Sequence, residues 1–128
     1  ENIDERRTID NTMTNLRSLV EELNIGLILV SHLKRPDGNK GHEEGVSTSL
    51  SQLRGSHAIA QLSDICVGIE RNLQDRDTSN QVTVRVLKNR FTGDCGIASI
   101  LTYNKETGRL LDSDNPFIDG DENGRATF

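Results

Sequence analysis

The stretch "IDNTMTNLRSLVEELNIGLILVSH", residues 9–32, carries two different periods in succession. Ile9, Met13, Leu16, Val20 and Leu23 recur at steps of four and three, which lines them along one stripe of an α-helix. Beyond Asn24 and Gly26 the alternation stops. "IGLILV" (25–30) has no polar side chain, the mark of a strand buried on both faces of a parallel sheet. A helix that feeds such a strand is half of a β–α–β crossover, so the fold class is α/β. The strand before the helix is expected upstream of Glu1, and the missing initiator Met suggests numbering that begins mid-protein.

Working outward, 128 residues are one domain's worth and enough for a hydrophobic core. No apolar run reaches the length of a membrane span, and "ENIDERRTID" at the start is too polar for a secretory signal. A cytoplasmic setting is therefore expected. It agrees with two cysteines, Cys66 and Cys95, that share no CxxC or CxxH spacing and give no support for a disulfide. The net charge of −5 is unevenly placed: Asp112, Asp114, Asp119, Asp121 and Glu122 face only Arg125 at the C-terminal end. The body is close to neutral, so overall acidity does not exclude a nucleic-acid partner.

After the apolar run comes "HLKRPDGNKGHEEGVSTS" (32–49), a long Gly- and charge-rich loop of the kind that is usually functional or disordered. Leu53, Ile59 and Leu62 give a short helical pattern interrupted at Gly55, and "ICVGIE" (65–70) reads as a second buried strand. "QVTVRVLKN", "IASILTYN" and "RLLD" are joined by the turn-like "RFTGDCG" and "KETG", which predicts an antiparallel meander at the edge of the parallel sheet. The acidic tail, residues 113–128, has little to bury and is expected to be disordered.

Several positions combine chemistry with placement. His32 ends the apolar strand, where open α/β sheets bind ligands, although a capping histidine would fit equally. Lys34, Arg35 and Lys40 lie on the Gly-rich loop and suit phosphate contact, or simple solvation. Val82, Val84 and Val86 share a strand face by parity, and the same parity carries Lys88 and Arg90. Two cations at the end of a core-facing strand point to an anion supplied from outside the chain, or to an edge guarded by charge. Arg71 and Tyr103 close strands and can each stack on a base. His32, His42, Glu43 and Glu44 match no zinc spacing, so no metal site is read from them. The chain holds no GxxxxGK[ST] loop and no apolar strand ending in a magnesium-binding Asp.

"HLKRPDGNKGHEEG", "QLRGSHAIAQLSDICVGIERN", "VRVLKNRFTGDCGIAS" and "YNKETGRL" resemble, in order and near-identical separation, the C-terminal half of the helicase domain of T-seven-type phage primase-helicases. These are RecA-like, ring-forming replicative helicases, with DnaB and the mitochondrial helicase Twinkle as more distant kin. The resemblance runs from about Glu5 to Asp112. It implies a RecA-like P-loop NTPase core over 1–112, with the Walker A and B part upstream, and a tail over 113–128.

By the same resemblance His32 matches the γ-phosphate sensor, and Lys34 and Lys40, with Arg35 nearby, match cations of the DNA-holding channel loop. Gln61 matches the residue coupling DNA to nucleotide state, and Arg71 with Tyr103 the pair that sandwiches the base. Arg90 matches an arginine finger acting on the neighbouring subunit, supported by Lys88. Phe128 matches the terminal aromatic that docks on the replicative polymerase. Ala60, and Gly38 with Asn39, depart from the pattern, where an arginine and a lysine–glycine pair would stand.

The implied protein is an NTP-dependent DNA helicase working as a homo-hexamer or heptamer on single-stranded DNA with Mg2+ and ATP or dTTP. This chain by itself would lack the phosphate pocket. The alternatives are a RecA-type recombinase or other hexameric motor, and a non-catalytic module that binds single strands or a polymerase.

Overall fold

The computed structural model describes residues 3–53 and 57–113. Helix α1 (Ile3–Leu23) starts with Asp4 and Glu5, whose charges suit the N-terminal end of the helix dipole. It stops where Asn24 takes the left-handed conformation (φ 51°) and Ile25 N–H reaches back to the Val20 carbonyl at 3.3 Å. That is the Schellman closure, for which Asn is the usual substitute for Gly. The stripe Ile9–Leu23 is as expected, yet Met13 is its one buried member and Leu23 is exposed.

The expectation for 25–30 is corrected. The segment forms no strand, and Ile28 (94%) and Val30 (89%) are almost fully exposed. A doubly buried strand needs neighbours to accept its backbone groups, and none of the described residues does so. Apolar continuity records what a segment is suited to; pairing decides what it forms.

The sheet is β1 (Ile65–Glu70), β2 (Gln81–Asn89), β3 (Gly96–Asn104) and β4 (Arg109–Asp112), in that order and antiparallel throughout. The predicted meander is therefore present and includes β1. The reading of β1 as a buried parallel strand is corrected: it is an antiparallel edge, with Ile65, Val67 and Ile69 exposed. Both later hairpins close alike. Asn89 and Asn104 accept from backbone N–H groups two and three residues on, and Gly93 and Gly108, at positive φ, donate back to their carbonyls.

A bulge changes the geometry of β2. Cys66 faces Lys88 and Val67 faces Val86, which leaves Leu87 unopposed. Val82, Val84 and Val86 thus share the face of Val67 and Ile69, whereas Lys88 joins Cys66, Gly68, Glu70 and Arg85 on the other. The expectation that Lys88 continues the valine face is corrected: one extra residue shifts a two-residue period to the opposite side.

On that second face a short 3-10 turn (Leu50–Gln52) and helix α2 (His57–Leu62) approach the sheet, and α1 packs against α2. Gly68 sits where a Cβ would lie 2.0 Å from Thr48 Oγ1. Gly68→Ala is accordingly expected to destabilise the fold by about 2 kcal/mol through overpacking, read as a lower denaturant midpoint at unchanged slope.

Candidate functional site

The loop 32–49 is less free than its composition suggests. Leu33 bridges to Leu53, Lys34 N–H donates to the Gln52 carbonyl at 2.7 Å, and Leu73 N–H donates to the Glu43 carbonyl at 2.9 Å. Its far end is tied by Glu70, whose Oε2 accepts from Thr48 N–H (2.8 Å) and Thr48 Oγ1 (2.6 Å). Arg85 completes the knot, donating to both Glu70 oxygens at 2.9 and 3.2 Å. Burial alone would raise the Glu70 carboxyl. The bonds from Arg85 and Thr48 outweigh that and hold it below the ordinary glutamate range.

Between these anchors, Leu33, Lys34, Arg35, Pro36, His42 and Glu43 line an open pocket of about 270 Å3. Arg35 and Lys40 are exposed. His42 Nδ1 pairs with the Val46 carbonyl at 3.0 Å, and its Nε2 is buried without a partner among the described residues. The Glu44 carboxylate accepts from Gly41 N–H at 3.0 Å. His32 stands exposed just before this loop, at the end of the extended segment.

A second cluster forms where β2 ends. Lys88 Nζ donates to the Ala60 carbonyl at 2.7 Å and the Gln61 carbonyl at 3.3 Å. Arg90 Nη2 donates to the Gln61 carbonyl at 2.7 Å, and its Nη1 to Asp64 Oδ1 at 2.9 Å. Both cations thus meet the carbonyl end of α2, where a helix's unsatisfied acceptors gather. The expectation that Lys88 and Arg90 lack a partner inside the chain is corrected on this point. Asp64 also accepts from Arg17 Nη1 of α1 at 2.8 Å. Arg17's hydrogen bond above all, with the charges of Arg17, Arg90 and Lys88, holds the Asp64 carboxyl below its ordinary range. Burial raises the neighbouring Cys66 thiol, which keeps it protonated, and both cysteines are free.

Arg71 and Tyr103, at opposite ends of the chain's sheet-forming half, are brought together. The Arg71 guanidinium carbon lies 5.7 Å from the Tyr103 ring centre, and Arg71 Nε donates to the Ser79 carbonyl. They touch each other directly, so a base entering between them requires the pair to open. Phe128 and the tail beyond Ser113 lie outside the described residues, whereas Ser113 itself bonds to the Ile100 carbonyl at 2.6 Å.

Sequence reasoning missed Asp64, Thr48, Glu70 and Arg85. Their contacts span 15 to 47 positions along the chain, beyond any local period. The available signals were an acid closing an apolar strand at Glu70 and an arginine set between valines at Arg85.

The model of the DnaB-like helicase C terminal domain matches residues 1–112. The chain is 49% identical over 110 residues to a protein of Enterobacteria phage T3 described as "DNA helicase/primase", an alignment covering 86% of this chain and 19% of that protein. It therefore spans about a fifth of that relative's length. Among solved structures it resembles the ATPase domain of a helicase, with a TM-score of 0.68 and 26% identity over 84% of this chain and 37% of the other. Among the described residues no helix is long and apolar enough to cross a membrane. With the family model spanning almost all of the described residues and the sheet matching a helicase ATPase domain, the chain belongs to the DnaB-like helicase C-terminal domain family.

Proposed function

We propose that this chain is the phosphate-sensing, finger-bearing and DNA-contacting part of an NTP-driven, ring-forming replicative DNA helicase. The observation that carries the reading is the attachment of Lys88 and Arg90 to the carbonyl end of α2, beside the exposed β2–β3 turn. A group that serves a neighbour's triphosphate must be held stiffly while part of its donor fork remains open. Arg90, with a side chain 42% exposed, meets both needs. The phage relative's description as a helicase/primase supports the same activity.

In this reading His32 reports the γ-phosphate, Gln61 couples α2 to DNA, and Arg71 with Tyr103 opens to hold a base. Lys34, Arg35 and Lys40 line the channel and contact backbone phosphates. The nucleotide, ATP or dTTP, binds with Mg2+ chiefly through residues outside this chain. Among the described residues no three His, Cys, Asp or Glu side chains come together as a metal site. A homo-hexamer or heptamer supplies the neighbour, single-stranded DNA the track, and the acidic tail ending in Phe128 a contact for the replicative polymerase.

The test is strand displacement on a forked DNA by the full-length protein with ATP or dTTP. Nucleotide-dependent release of the displaced strand is expected. DNA-stimulated hydrolysis without displacement at any fork would count against the helicase reading.

A second measurement isolates the channel cations. Each phosphate contact on a single strand adds roughly 0.7 to the slope of log affinity against log salt. Lys34→Gln with Lys40→Gln in the full-length protein is expected to flatten that slope by about 1.4. An unchanged slope removes these two residues from the DNA interface.

A further inference from the structure

The cluster at the end of β2 contains a carboxylate that the proposed function leaves without a task. Asp64 grips Arg90 twice: its carbonyl accepts from Arg90 N–H at 2.9 Å, and its Oδ1 accepts from Arg90 Nη1 at 2.9 Å. Its other oxygen is bound to Arg17 Nη1 at 2.8 Å, and Arg17 Nε in turn reaches Glu21 at 3.0 Å. A line of direct bonds therefore runs from α1 through Arg17 and Asp64 to Arg90. A second runs from the end of α2 through the Gln61 carbonyl to the other side of the same guanidinium.

Two features decide whether this grip restrains or prepares Arg90. A guanidinium has five N–H donors, and the bonds to Asp64 and Gln61 engage Nη1 and Nη2 once each, leaving most of the fork unspent. The side chain is 42% exposed, so that remainder faces outward. Arg90 can thus keep both internal bonds and still donate to a phosphate. The charge balance agrees: Arg17, Lys88 and Arg90 surround Asp64, and Glu21 on α1 is the other acid in the group, so the cluster keeps a positive excess toward an incoming anion.

We propose that Asp64 is the positioning residue for Arg90, holding its guanidinium pre-oriented and making its position follow α1 and α2. The inference rests on Arg90 acting at a neighbour's phosphate. It adds the physical link by which a movement of α2, whose last turn carries Gln61, shifts that arginine. Rotation of α2 by even a fraction of a turn moves two of Arg90's three anchors together, because Gln61 and Asp64 flank the helix end. Positioning at this accuracy matters because displacement by about 1 Å can cost a hundredfold in rate.

The experiment uses the full-length protein and compares Asp64→Asn, Arg90→Ala and the double variant, measuring DNA-stimulated kcat, nucleotide affinity and melting temperature. Asp64→Asn is expected to lower kcat about tenfold or more with nucleotide affinity unchanged, and to add nothing in the Arg90→Ala background. Asp64→Glu, which restores the charge at a different reach, is expected to recover part of the loss and stands in should the asparagine variant fail to fold. Wild-type kcat in Asp64→Asn, with Arg90→Ala collapsed, overturns this inference alone. An equal fall in both backgrounds also overturns it, since a purely structural role would act regardless of Arg90. Normal turnover in Arg90→Ala removes the reading on which it rests.

Discussion

Arg90→Ala in the full-length protein is expected to lower DNA-stimulated nucleotide hydrolysis by about a thousandfold or more, the low end of what arginine fingers contribute elsewhere. Nucleotide affinity should stay within a few-fold of wild type, because the finger acts on charge that develops during transfer and not on the bound ground state. The internal bonds of Arg90 could confuse this result if their loss unfolded the site. They should not. Asp64 keeps Arg17, the Gln61 carbonyl keeps Lys88, and the arginine itself is part-exposed, where an ion pair adds little to stability. Arg90→Lys should remain close to the alanine variant, since a single ammonium cannot bridge Asp64, the Gln61 carbonyl and a phosphate at once. Ring assembly, followed by light scattering, separates a catalytic loss from an assembly loss. Turnover within about tenfold of wild type in intact rings would sink the finger assignment.

How much of this was legible in the sequence depended on how local the physics was. Helix α1 could be read because its stripe repeats every turn and Asn24 terminates it within the same stretch. The β2–β3 and β3–β4 hairpins could be read because Asn89, Gly93, Asn104 and Gly108 supply both the side-chain acceptor and the positive φ that the turns need. The run 25–30 misled for the opposite reason: its strand character depends on neighbours that the described residues do not contain.

The site shows the same division. Lys88 and Arg90 were correctly singled out, yet by a parity that Leu87 breaks, since a bulge is a property of two strands and leaves no mark on one. Their true internal partner, the end of α2, lies 26 to 29 positions away. Asp64 in "LSD" looked like a loop acid, and only the approach of α1 makes it a junction between Arg17 and Arg90. Resemblance to a family named the roles; the fold was needed to show what holds each group in place.

Glu70→Ala is expected to destabilise this part of the full-length protein by about 3 kcal/mol, the largest stability effect of any substitution outside the apolar core. The carboxylate accepts four hydrogen bonds, two from Thr48 and two from Arg85, and its side chain is only 11% exposed. Alanine would leave the buried Thr48 hydroxyl and N–H without an acceptor, and a three-quarters buried guanidinium without its partner. It would also free the end of the loop that carries Lys34 and Lys40, so single-strand binding should weaken along with the melting temperature. Glu70→Gln, which keeps one acceptor oxygen, should cost less than half as much.

The pH dependence follows from the sign of the shift. The Glu70 carboxyl is held below its ordinary value of 4.5, so its contribution is fully present above that value and is lost as pH falls through the lower folded value. Thermal melts of the wild type should therefore be level from pH 7 to about 5 and decline below about 4.5. The Glu70→Ala melts should start lower and decline less over the same acid range. Parallel profiles for the two proteins would mean that another carboxylate governs the acid limb and that the Thr48–Glu70–Arg85 knot is not what fixes the loop to the sheet.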